Sequence, residues 1–152
     1  MRRLRAVVLG AAIVPVALVL APPANAGLMQ GNYSAFVDGR YDFHTWTWGV
    51  ASCGAPEPVG QCAYVSAIAM PIGRVFQWYA KTYQVNGTYT LTVDTPDGLR
   101  CGNVYYGSVV PTHDVYTFDA TTLAGKLESS FDVGCDNAPG GTITYPFRLV
   151  RF

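Results

Sequence analysis

Charge is scarce in this chain and unevenly spread: its 152 residues hold ten Lys and Arg, ten Asp and Glu, and two histidines. Arg2, Arg3 and Arg5 stand at the start, and no Lys/Arg cluster follows them. Nucleic acid and anionic lipid both require concentrated positive charge, so neither is expected as the main partner. Long helical periods are missing, and so is a Gly-x-Ser-x-Gly elbow, since Ser108 follows Gly107 without the rest of that motif. Zinc needs clustered Cys and His ligands, whereas only one Cys pair is close and His44 and His113 are scattered. No metal and no cofactor are expected.

The three arginines precede an apolar run from Ala6 to Leu20, then Pro22, Pro23 and the small-residue triplet Ala24, Asn25, Ala26. Positive charge, an apolar stretch and small residues in that order define a secretory signal peptide. The run is shorter than the roughly 20 apolar residues that a membrane-spanning helix needs, and it contains Pro15. Residues 1–26 therefore read as a cleaved signal, with no membrane span left afterwards. Residues 27–152 read as one secreted or envelope-associated domain, long enough to bury its own core. Cleavage removes three basic side chains and no acids, which changes the formal balance from zero to −3.

All four cysteines, Cys53, Cys62, Cys101 and Cys135, lie in this domain. An even count outside the cytoplasm reads as two disulfides, and four thiols allow three pairings. Gly54, Pro56, Pro58 and Gly60 make the segment between Cys53 and Cys62 a compact loop that favours their pairing. Cys101 would then meet Cys135, with the other two arrangements still open.

From Tyr33 onward, runs rich in Val, Thr, Tyr, Phe and Trp alternate with Gly, Pro, Asp and Asn about every ten residues, the pattern of an all-β sandwich or barrel. The expected strands are 33–37, 40–48, 63–70, 74–84, 88–93, 103–110, 114–118, 125–131 and 142–152. Asp38-Gly39 and Asn86-Gly87 are expected as tight hairpins, and Asp94 to Gly98 as a turn leading to Cys101. Asp119 is expected to cap one helical turn through Leu123. About eight to nine neighbour-to-neighbour strands favour a closed antiparallel barrel, which leaves no exposed edge. A two-sheet β-sandwich is the alternative.

The segment 41–48 carries large side chains on both expected faces, Tyr41 and Phe43 on one and His44, Trp46 and Trp48 on the other. Phe76, Trp78 and Tyr79 repeat the theme. Most of these aromatics are expected to be core, but a contiguous exposed patch would need cover from a ligand. Trp46, Trp48, Trp78 and His44 are accordingly the candidate binding residues, for a small apolar ligand or for sugar rings stacked on indole. Catalysis has less support. His113 and Asp114 are adjacent on a strand and point to opposite faces. No pair of carboxylates stands out for glycoside hydrolysis.

The run Trp46-Thr47-Trp48 to Cys53, the closing Gly60-Gln61-Cys62, Asp97-Gly98-Leu99-Arg100-Cys101-Gly102 and the stretch from Asp114 to Gly125 form a framework with Gly134-Cys135 and Pro146 to Val150. That framework resembles small exported proteins of mycobacteria and related actinobacteria, across nearly the whole mature chain. The resemblance implies a cell-envelope or culture-medium address and no established activity. It also favours Cys53–Cys62 and Cys101–Cys135, each pair bracketing one block. The resulting expectation is a non-catalytic exported β module that binds an envelope component, a glycan, a small apolar ligand or a protein. A hydrolase using His44 or His113, and a purely structural envelope protein, are the alternatives.

Overall fold

The computed structural model describes residues 29–57, 60–70 and 73–152, with backbone alone at 73–75. The expected signal segment, 1–26, lies outside the described residues. Eight strands follow one another as β1 (Gly31–Val37), β2 (Thr45–Ser52), β3 (Cys62–Ala69), β4 (Gly73–Val85), β5 (Thr88–Arg100), β6 (Val109–Asp119), β7 (Ala124–Val133) and β8 (Pro139–Arg151). Each pairs antiparallel with its neighbours in sequence, and β8 returns to β1 to close the barrel.

The expected count of nine falls to eight because the runs 103–110 and 114–118 do not form separate strands. Residues 104–108 are loop, and β6 runs from Val109 through Pro111 to Asp119. Proline cannot donate to a ladder, and Pro111 is accommodated because the β5–β6 register shifts between Thr95 and Leu99. Pro96, Asp97 and Gly98 occupy that irregularity within β5, where a turn was expected.

Asn86 (φ 50°) and Gly87 (φ 78°) make the expected two-residue hairpin between β4 and β5. Asp38-Gly39 does turn, with Gly39 at φ 87°, but β2 begins only at Thr45. Residues 38–44 are thus a loop instead of the start of a strand, closed by the Val37 N–H donating to the His44 carbonyl at 2.8 Å. Asp119 caps a turn as expected: its carboxylate accepts from the Thr121 and Thr122 N–H groups at 2.9 and 2.7 Å, which hold its pKa below the usual carboxylate range.

Side chains fill the barrel. The inward residues of β3 are Ala63, Val65, Ala67 and Ala69, all fully buried. Ala69 pairs with Trp46, while Ala67 lies between Trp48 and Trp78, so small side chains on one strand make room for indoles on its two neighbours. Trp48 occupies the centre, fully buried, with the rings of Trp78, Tyr116 and Phe147 at 5.4, 5.4 and 5.2 Å. Their tilted and edge-on packing avoids face-to-face repulsion between π clouds.

Both disulfides form with the favoured pairing, and each has a Cα–Cα separation of 5.5 Å. Cys53–Cys62 closes the β2–β3 connection at one rim. Cys101–Cys135 joins the β5–β6 and β7–β8 connections at the other. On the chain-entropy model, Cys53→Ser/Cys62→Ser should cost about 2.7 kcal/mol in urea unfolding. A loss well under 1 kcal/mol would show that this loop is already restricted in the unfolded chain.

Candidate functional site

One rim of the barrel gathers the polar and aromatic groups. It is the rim where β1 passes to β2, β3 to β4, β5 to β6 and β7 to β8. There the 38–44 loop folds inward and sends Arg40 into the interior, leaving it 6% exposed. Its Nη1 donates to Asp114 Oδ2 at 3.1 Å, and its Nη2 donates to the Gly98 carbonyl. The Thr112 hydroxyl donates to Asp114 Oδ1 at 2.7 Å, and that of Thr95 to Oδ2 at 3.4 Å. Gly98 is required here, because an added Cβ would overlap the Thr112 hydroxyl. A second tie secures the loop outside, where Arg100 pairs with Asp42 and donates to the Gly107 carbonyl at 2.8 Å.

At and below this plug, Arg40 Nε, Trp48 Nε1 and Ser129 Oγ are buried without a protein partner among the described residues. Burial pushes the Tyr116 phenol far above its ordinary value, and Tyr145 rises for the same reason. Both hydroxyls stay protonated throughout the physiological range.

Beside the plug the barrel wall parts. β4 and β5 pair only from Thr82–Leu91 to Val85–Thr88, although both strands continue for about nine residues toward this rim. A pocket of about 110 Å³ occupies the gap. Phe43, Trp46, Phe76 and Trp78 line it on one side, and Thr95, Pro96 and Asp97 on the other. The rings form a continuous cluster, with Phe43–Phe76 at 4.8 Å, Phe43–Trp46 at 5.7 Å and Trp46–Trp78 at 5.7 Å between centroids. Trp46 Nε1 donates to the Phe43 carbonyl at 2.7 Å, which fixes its indole.

Of the four candidate binding residues, the pocket unites Trp46 and Trp78. Trp48 lies wholly within the core, and His44 sits exposed on the plug loop with Nδ1 3.1 Å from the Tyr41 carbonyl. Phe43 joins the pocket because its φ of 54° breaks the alternation that would have set it on the face opposite Trp46. Asp97, Arg40 and Asp114 carried no distinguishing signal in the sequence. Their roles depend on a bulge and on a contact spanning 74 positions.

A third arrangement lies on the outer face. Asp94, His113 and Ser130 stand side by side on β5, β6 and β7. His113 Nδ1 is 2.7 Å from Asp94 Oδ1, and Ser130 shares a 2.8 Å hydrogen bond with Thr142 on β8. A broad open cleft of about 390 Å³ runs over them. As expected, His113 and Asp114 point to opposite faces, with Asp114 inside the barrel. Among the described residues, no three His, Cys, Asp or Glu side chains gather as a metal site, and no helix is long and apolar enough to cross a membrane.

Fold and site together define a class: a disulfide-stapled, eight-stranded antiparallel barrel, filled by side chains and parted along one seam over an aromatic pocket. Comparison with protein-family models, with curated proteins and with solved structures finds no match for this chain.

Proposed function

We propose that the mature domain is an exported, non-catalytic binding module that takes a small group into the pocket between β4 and β5. The observation that carries this reading is the parting of two long strands directly over a fixed cluster of four aromatic rings. A barrel built only for stability would continue that ladder to the rim. Two disulfides are compatible with an extracytoplasmic address, and the resemblance to small exported actinobacterial proteins points the same way. Tryptophan fluorescence tests the pocket directly. Ligands recovered as adducts by native mass spectrometry of protein from its own culture medium should shift the emission of Trp46 and Trp78. Trp78→Ala should weaken binding by about tenfold, the scale of one lost aromatic contact. Unchanged affinity in that variant would remove the pocket from the proposal.

The alternative, an envelope-directed hydrolase, has one specific observation in its favour: the carboxylate, imidazole and hydroxyl of Asp94, His113 and Ser130 follow one another across three strands. Such an order suits nucleophilic catalysis when the imidazole reaches the hydroxyl. Here the hydroxyl is bonded to Thr142 instead, and the His113 and Asp94 side chains are largely exposed to water. A binding module should resist labelling of Ser130 by a fluorophosphonate. Labelling that disappears in His113→Ala would transfer the proposal to the hydrolase.

A further inference from the structure

We infer that the group taken into the β4–β5 pocket is an organic cation, an alkylated ammonium held between aromatic faces and the Asp97 carboxylate. This rests on the binding reading above and adds the chemical class of the ligand.

The first support is the polarity of the lining. Trp46 has committed its N–H to the Phe43 carbonyl, and the Thr95 hydroxyl is directed to Asp114. Gln77 and the Trp78 indole are the remaining side-chain donors around the pocket, whereas Asp97 brings a carboxylate and Asp94, at the edge, turns its own to His113 on the outer face. Anions need several donors, so this lining does not suit them. Aromatic faces and carboxylates both attract positive charge.

The second support is the distribution of charge. Among the described residues, Arg40 and Arg100 are the nearby cations, and each is engaged with a carboxylate, Asp114 and Asp42 respectively. Asp94 holds His113 on the outer face. Asp97 makes no ion pair among the described residues, although it is partly buried.

The third support is that Asp97 works against folding. Burial pushes its carboxyl above the ordinary value, ahead of the opposing pull of its own backbone N–H, Arg100 and Arg40. A carboxyl raised in the folded state favours folding when protonated, and that advantage is lost as pH rises from its unfolded to its folded value. At neutral pH the ionised Asp97 is therefore a burden on the fold. A burden of this kind beside a pocket is characteristic of a site kept for function.

The fourth support is size. A pocket of about 110 Å³ is smaller than the roughly 300 Å³ where drug-sized sites begin. It suits a compact head such as trimethylammonium, with the rest of the molecule leaving through the parted seam.

The test compares choline with its neutral isostere 3,3-dimethylbutan-1-ol by tryptophan fluorescence on the full mature domain. Choline should bind about tenfold more tightly, the scale of cation–π attraction at a partly desolvated site. Asp97→Asn should remove most of that preference while the isostere's affinity stays within about twofold. The same variant should be no less stable than the parent at pH 7, with the difference closing in acid, which separates lost recognition from lost folding. Equal binding of choline and isostere would overturn the cation and leave the pocket standing. Binding of neither would overturn both. Cosedimentation with phosphatidylcholine vesicles then distinguishes sources: sedimentation abolished by excess choline assigns the cation to a lipid headgroup, and choline binding without sedimentation assigns it to a free ligand.

Discussion

Replacing Arg40 with methionine is expected to destabilise the barrel by about 3–5 kcal/mol, because one half of a buried ion pair is left without the other. The Arg40 and Asp114 side chains are only 3% and 2% exposed. The Thr112 and Thr95 hydroxyls still reach the carboxylate after the substitution, yet two neutral donors do not replace a guanidinium. For a domain whose whole stability lies in the range of about 5–15 kcal/mol, that is a large share. The companion variant Arg40→Met/Asp114→Leu should recover most of the loss, since neutral side chains of similar volume carry no desolvation penalty. Urea unfolding of parent, single and double variants at one pH measures the cycle. A single-variant loss below about 1 kcal/mol would mean that the 38–44 loop lifts and lets water reach Asp114. Because Phe43 belongs to the same loop, the single variant should also weaken the pocket.

The second large effect is expected at Cys101–Cys135. The bridge closes a stretch with a sequence separation of 34, against 9 for Cys53–Cys62. On the chain-entropy model its removal as Cys101→Ser/Cys135→Ser costs about 3.8 kcal/mol. The two connections it joins flank the β6–β7 pair, which remains hydrogen-bonded without it. The folded barrel should therefore survive with its spectrum intact and a lowered urea midpoint. Losing both bridges together approaches the full stability of a domain this size, so chemical reduction should unfold the protein at physiological temperature. A reduced protein that retains its near-ultraviolet circular dichroism would show that the aromatic core alone suffices.

Local signals were enough for the local features. Asn86-Gly87 demanded positive φ at two successive positions and made a hairpin. Alternation from β1 to β8 was visible because one face of each strand is core. A compact Gly/Pro loop favoured Cys53–Cys62, which forms together with Cys101–Cys135; the residues alone left the other two pairings open, and the resemblance to small exported proteins favoured this one. Asp38-Gly39 misled because the same dipeptide also begins a longer loop, and what continues that loop is the descent of Arg40 to Asp114. The expected break between 103–110 and 114–118 contains Pro111, which β6 carries through because it stands opposite a bulge, and that bulge lies on another strand. The pocket depends on β4 and β5 diverging after Leu91, for which neither strand carries a local mark. Trp46 and Trp78 were recognisable as large and apolar, but their meeting is a property of the closed barrel.

The direction in which the barrel presents itself follows from its even number of strands. β1 enters and β8 leaves at the rim opposite the pocket, where the Phe152 N–H donates to the Asn32 carbonyl at 3.3 Å. Anything covalently joined to either end of the domain, whether a surface, a bead or a fused reporter, would sit behind the barrel. The mouth between β4 and β5 would then open toward the medium, so immobilisation through a terminus should leave access to it unimpeded.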